Sequence, residues 1–188
     1  MTVPAPIIVV GGGIAGLATA LAAAPAPVLL LTRSAGSRGA ASALAQGGIA
    51  AAVGAGDSPA AHADDTCSAG SHHNDPAMVD VLTCGAADAV EWLQQLGVAF
   101  DRDAGGGLQL GREGGHDRPR IVHAGGDATG AAVMAALVAA ARQAPHIERQ
   151  SGTEVDGLML RSGHVCGVCV TRADGSQSAL EARAVVMA

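Results

Sequence analysis

The 188-residue chain carries a net charge of −6 and 49% hydrophobic residues, enough for the core of one domain of ordinary size. Trp92 and Phe100 are its only aromatic rings and its eleven basic residues are scattered arginines, which excludes base-stacking platforms and phosphate-backbone binders, so no nucleic-acid partner is expected. Met1 to Thr32 holds no charged side chain, but glycines and the prolines Pro25 and Pro27 interrupt it and no basic segment precedes it. It therefore reads as neither a membrane span nor a signal peptide, and a soluble, cytoplasmic protein with no membrane partner is expected.

The first element is an apolar strand, Ile7 to Val10, running into Gly11, Gly12, Gly13, Ile14, Ala15 and Gly16. This is a G-x-G-x-x-G turn between a strand and a helix. Gly11 permits the tight bend, Gly13 lets backbone approach a pyrophosphate, and Gly16 lets helix pack on strand. The helix N-terminus then offers N–H groups and partial positive charge to phosphates. The helix runs from Ile14 to about Ala24, where Pro25 stops it, and a second strand, Val28 to Leu31, completes a βαβ start. The acid that usually holds a ribose hydroxyl after that strand is missing; the place reads Thr32-Arg33-Ser34, so Thr32 or Arg33 is expected to hold the ribose.

From Ser34 to His73 the chain is rich in Gly, Ala and Ser, and too long for an idle connection; such a stretch wraps a ligand or lines a site. Asp75 and Pro76 then start an amphipathic helix with Val79, Leu82, Ala86, Val90, Leu93 and Leu96 at helical spacing, Glu91 and Asp88 on its solvated face, and Gly97 as its stop. Between Asp101 and Gly126 charges of both signs alternate with glycines, in particular Arg112-Glu113-Gly114-Gly115-His116 and Arg118-Pro119-Arg120. That pattern suits a polar pocket, with a solvent loop closed by internal ion pairs as the alternative. Asp127 or Thr129 caps a further helix with Met134, Leu137, Val138 and Ala141 inward and Pro145 as its stop.

The tail reads as an antiparallel meander: Thr153 to Leu160, His164 to Thr171, and Ser178 to Met187. The last run ends without turn or cap, as in a chain cut short. Cys166 and Cys169 form C-x-x-C inside an alternating strand that points them to opposite faces, so they are read as buried small apolar residues rather than a redox or zinc pair. The seven histidines show no metal-ligand spacing, and no metal is expected. The fold class is thus α/β, a Rossmann-like domain of parallel sheet and helices plus a β-meander, occupying 1–188 as one domain.

Four stretches carry a resemblance to a known family: Gly11 to Gly16; Ser42 to Ile49, in the pattern S/T-x-x-A-Q-G-G-I; Asp64-Asp65-Thr66; and Arg112 to His116 with Arg120-Ile121-Val122-His123-Ala124 and Asp127-Ala128-Thr129-Gly130. In this order they resemble the FAD-binding part of the succinate dehydrogenase and fumarate reductase flavoprotein family, with R-E-G-G-H closest to its amino-acid-oxidising branch. The resemblance implies FAD as cofactor, with Gly12 to Ala15 at the pyrophosphate and Arg33 near the adenosine. It places Ala41, Ser42, Ala43, Leu44, Ala45, Gln46, Gly47 and Gly48 along the ribityl chain and isoalloxazine, and Glu154 and Val155 beside the adenine. Members with covalent flavin carry a histidine where this chain has Ala41, so the implied FAD is non-covalent.

Glu113 matches the family carboxylate that orients a substrate ammonium and is the implied catalytic group, with Arg112 and His116 beside it for carboxylates. The implied reaction is oxidation of L-aspartate to iminoaspartate with O₂ or fumarate as acceptor, on the route through quinolinate to NAD, with quinolinate synthase as metabolic neighbour. Alternatives are a soluble fumarate-reducing or succinate-oxidising flavoprotein and a non-catalytic dinucleotide-binding module. Two departures stand out. Glu148-Arg149-Gln150 falls where the family has an apolar strand, so a distorted or exposed edge is expected there. The family also continues through a T-G-G turn, a capping domain and the arginine that moves the substrate proton, so this chain by itself is expected to be inactive.

Overall fold

The structure, a computed structural model, describes residues 5–34 and 41–188. Residues 35–40 of the long Gly/Ala/Ser stretch lie outside them. The chain divides into two compact units, 1–43 with 134–188, and 44–133.

The first unit is built on a parallel sheet. Strand β1 (Ile7–Val10) leads through the glycine turn into helix α1 (Ile14–Ala22), and β2 (Val28–Thr32) returns beside β1. Both strands are nearly continuous apolar runs, as parallel strands covered on both faces must be. Strand β6 (Ile147–Ser151) pairs in parallel with β2 through five residues, Val28 with Ile147 to Thr32 with Ser151. The polar Glu148-Arg149-Gln150 run thus forms a regular strand rather than a distorted one. It is tolerated because β6 is an edge of the sheet, whose order is β10-β1-β2-β6.

The meander is β7 (Thr153–Arg161), β8 (His164–Arg172) and β9 (Gln177–Glu181). The run expected as its third strand is divided at Ala182-Arg183. Its second half, β10 (Ala184–Met187), leaves the meander and pairs in parallel with β1. Ile8, Leu31, Val168, Val170 and Ala182 form the core between meander and sheet, with Val10, Leu29, Val155, Leu180 and Val185 packed around it. Each fully buried aliphatic side chain there contributes about 1.5–3 kcal/mol. Cys166 and Cys169, expected to be buried, are half-buried and exposed respectively, because only one face of β8 packs on the core, and both are free thiols.

The second unit carries a small antiparallel sheet, β3 (Ile49–Ala50), β5 (Ile121–Val122) and β4 (Leu110–Gly111), in the order β3-β5-β4. Helix α2 (Pro59–Ala69) stands inside the stretch read as irregular; Ser58 caps it by accepting from Ala61 N, and Pro59 is its first residue. Its apolar pattern is weak, but those start signals were present in the sequence. Helix α3 (Pro76–Gln95) begins at Asp75, whose carboxylate accepts from Ala77 and Met78 N–H, and stops at Gly97 with φ +95. Its buried face is Val79, Thr83, Val90 and Leu93, so Leu82, read as inward, is 71% exposed. Glu91 and Asp88 are exposed as expected. Helix α4 (Thr129–Gln143), most of which belongs to the first unit, buries Met134, Leu137 and Ala141. Among the described residues no helix is long and apolar enough to cross a membrane.

Candidate functional site

A cavity of about 920 Å³ opens in the first unit at the C-terminal ends of the parallel strands, where ligands of open α/β sheets bind. The structure brings to its wall Gly11, Gly12, Gly13, Ile14 and Ala15 from the turn, Thr32 and Arg33 from the end of β2, Ala41 and Ser42, and Glu154 and Val155. Gly11 holds φ +121, and a Cβ there would lie 2.0 Å from the Ala188 carbonyl oxygen. A Cβ on Gly16 would lie 2.0 Å from the Gly11 carbonyl oxygen, so this glycine serves helix-on-strand packing and stays off the cavity wall.

Helix α1 has no side-chain cap at Gly13, so its first N–H groups face the cavity, and among the described residues the side chain near them is Ser42, whose Oγ lies 3.4 Å from Ile14 N. Such an opening fits a diphosphate, whose negative charge the helix end favours. Thr32 is buried and donates its hydroxyl to the Ser34 carbonyl at 2.8 Å, while Arg33 and Ser34 after β2 are exposed. Among the lining residues that sequence reasoning missed are Thr153 and Arg149. The oddity of an arginine in a parallel strand was the available signal for the second.

In the second unit, residues 112–120 form the loop of the β4–β5 hairpin, closed by Arg120 N donating to the Gly111 carbonyl at 3.0 Å. Gly115 at φ +88 turns it, and Arg112 Nε donates to the His116 carbonyl at 3.0 Å. Glu113 is exposed, and its Oε1 lies 4.0 Å from where a Gly47 Cβ would stand. Gly48 is packed more closely: a Cβ there would lie 2.4 Å from Ile121 Cγ2 and 2.5 Å from the Val122 carbonyl oxygen. Ala45 and Gly130 are linked by the Gly130 N–H donating to the Ala45 carbonyl at 3.0 Å, which ties the 44–48 segment to the start of α4. Ala43, Leu44, Ala45, Gln46, Gly47 and Gly48 are absent from the wall of the first unit's cavity.

Beneath the loop stands Arg120, fully buried. Its Nε and Nη2 donate to the two oxygens of Asp57, both at 2.9 Å; Nη1 donates to Asp65 and, at 3.1 Å, to His116 Nδ1; Nη2 also reaches Asp117 at 3.1 Å. The bonded guanidinium holds the Asp57 carboxyl below the usual carboxylate range. Asp65 is held low first by the Asp117 backbone N–H, 2.9 Å away, and then by Arg120, while the carboxylates raise Arg120 in turn.

Because His116 Nδ1 accepts from Arg120, its ring proton sits on Nε2 as a donor. His62 meets His116 edge-on at 5.6 Å, is buried, and has no partner for Nδ1; burial, then Arg120 and His116, push its pKa down. The structure thus shows the internal ion pairs of the charged loop, with residues 112–115 and 117–119 exposed above them. The signal missed was Asp57 and Asp65, far from Arg120 in sequence. Among the described residues no group of three or more His, Cys, Asp or Glu side chains is placed for a metal ion.

A glycine-turn α/β fold with a phosphate-ready helix end defines a dinucleotide-binding domain of flavoprotein type. The chain belongs to the FAD binding domain family, which matches residues 6–188, and FAD is its cofactor. It is 46% identical over 181 residues to an L-aspartate oxidase of Mesorhizobium japonicum, covering 96% of this chain and 35% of the relative. To an L-aspartate oxidase of Agrobacterium fabrum it is 44% identical over 169 residues, covering 90% and 32%. Among solved structures, E. coli quinol fumarate reductase aligns with a TM-score of 0.91 at 28% identity, over 98% of this chain and 32% of the other. The Mycobacterium smegmatis Sdh1 complex aligns at 0.90 and 29%, over 98% and 34%. The chain therefore spans about a third of the length of the curated relatives it matches.

Proposed function

We propose that this chain is the FAD-binding part of an enzyme that oxidises L-aspartate to iminoaspartate with O₂ or fumarate as acceptor, opening the quinolinate route to NAD, in which quinolinate synthase is its metabolic neighbour. When bound, FAD supplies the two-electron acceptor. It is held non-covalently: Gly12 to Ala15 take the diphosphate, Arg33 the adenosine, Glu154 and Val155 the adenine, and Ala41 to Gly48 follow the ribityl chain and flavin ring. Glu113 takes the substrate ammonium. Arg112 spends only its Nε within the loop, so its terminal amino groups serve a carboxylate, and His116 offers Nε2–H to the other. This chain's contribution is orientation and charge, since an amino dicarboxylate needs one anion and several cations around it.

The observation that carries the reading is Glu113: its carboxylate is spent on no ion pair among the described residues and it lies beside Gly47 of the A-Q-G-G segment. A carboxylate there would repel a dicarboxylate that lacks an amine. A succinate- or fumarate-directed enzyme is the second reading, favoured by the likeness to fumarate reductase at a TM-score of 0.91. The two separate on Glu113→Gln in the enzyme that carries this chain. Loss of one charge-assisted hydrogen bond is expected to cut kcat/KM for L-aspartate about tenfold to hundredfold while fumarate reduction changes little. Equal losses on both substrates would remove the reason for preferring the amino acid. Acid precipitation of the same yellow protein should leave the flavin in the supernatant.

A further inference from the structure

Among the described residues of the first unit, Arg149 is a cation with no ion-pair partner. Arg149 lies on β6, paired with Leu30 of β2, and lines the cavity together with Thr153, Glu154 and Val155. Its Nε is shut off from solvent, and among the described residues it has no hydrogen-bond partner and forms no ion pair, although Glu154 lines the same cavity. A buried, unpartnered N–H on a charged group is costly, and native structures rarely keep one without a use. The strand has no polar partner for it in β2, since the positions beside it, Leu29, Leu30 and Leu31, are apolar.

Position decides which part of a ligand it can meet. The diphosphate belongs at the glycine turn after β1, while β6 is two strands away, about 10 Å along the sheet at ordinary strand spacing. That places Arg149 beyond the phosphates, at the end of the cavity where Thr32 and Arg33 close β2 and where Thr153 to Val155 begin β7. We infer that Arg149 is a cofactor-binding residue whose guanidinium donates to acceptor atoms of the adenosine half of FAD, in the region where other dinucleotide folds use an acid after the second strand. The inference rests on the cavity being the FAD site. An arginine here makes recognition depend on ring nitrogens or ribose oxygens as acceptors, where an acid would depend on ribose hydroxyls as donors.

The experiment is equilibrium binding of FAD and of ADP, which shares only the adenosine diphosphate half, to the full chain and to its Arg149→Leu and Arg149→Lys variants, with ligand-free melting measured alongside. Arg149→Leu is expected to weaken both ligands by the same factor, about tenfold to hundredfold, as loss of a charged donor should. Ligand-free melting should stay level or rise, since an unpaired buried group is removed, and Arg149→Lys should recover part of the affinity. FAD and ADP affinities unchanged within about twofold, or a loss of affinity that tracks a drop in ligand-free melting, would overturn the inference. An Arg149-dependent affinity for ADP in a chain that takes up no FAD would uphold the residue's role and fault the flavin reading instead.

Discussion

Arg120→Met tests the centre of the second unit. The substitution keeps most of the aliphatic bulk and deletes a guanidinium that donates to Asp57 twice, to Asp65, to Asp117 and to His116 Nδ1. The Asp57 side chain is 2% exposed, so it is left as a buried carboxylate with one remaining donor, the Ser58 backbone N–H at 2.8 Å. Removing one partner of a buried pair costs about 3–5 kcal/mol. For a chain of this length each kcal/mol moves the melting point by about 2–4 °C, which gives a fall of about 6–20 °C. Asp65 and Asp117 add less, because both side chains reach water.

The sign of the pH dependence follows from Asp57. In the native protein its carboxyl is held low by Arg120, so it contributes stability above the unfolded value of about 3.9, lost as pH falls through the lower folded value. Without Arg120 the buried carboxyl is raised instead and takes up a proton on mild acidification. The gap in melting temperature between the native chain and Arg120→Met should therefore be widest near pH 7.5 and narrow toward pH 4.5. Adding Asp57→Asn to Arg120→Met should restore part of the loss. Thermal unfolding followed by circular dichroism measures all three; a loss below about 1 kcal/mol, or a gap indifferent to pH, would refute the reasoning.

Two further outcomes are expected. Gly16→Ala forces a methyl onto the Gly11 carbonyl oxygen, 2.0 Å from its ideal position, and should cost about 1–3 kcal/mol and much of the FAD affinity, whereas Gly85→Ala in α3, with open space around the new methyl, should raise the melting point slightly; similar effects from both would count against the packing role. His62 is held low by burial, so below its unfolded value of about 6.5 the unfolded chain binds a proton that the native one does not, and stability falls as pH drops toward the folded value. His62→Gln should flatten that part of the urea-midpoint profile, and an unchanged slope would disprove the assignment.

The glycine turn, β1, α1 and β2 were legible because each rests on neighbours in sequence: an apolar run, a turn only glycine can make, and a proline stop. Helix α3 was legible at both ends for the same reason, through Asp75, Pro76 and Gly97. The face of α3 was less so, since Leu82 and Thr83 lie about 100° apart around the helix and only packing selects which of them faces inward. Helix α2 was overlooked because its middle, Ala-His-Ala-Asp-Asp-Thr, has little amphipathic contrast, although Ser58 and Pro59 marked its start.

By itself the sequence determined the dinucleotide turn, the βαβ start, the helix caps and the chemical kinds of side chain on the R-E-G-G-H loop, all of which depend on residues a few places apart. Tertiary structure alone decided that the last apolar run divides, β9 completing the meander and β10 crossing to lie beside β1. It alone decided that the polar β6 is a regular edge strand with Arg149 on a cavity wall, and that Asp57 and Asp65 meet an arginine 63 and 55 residues away. Strand pairing and buried ion pairs join residues distant in sequence, and no local pattern records which partner the fold will bring to each.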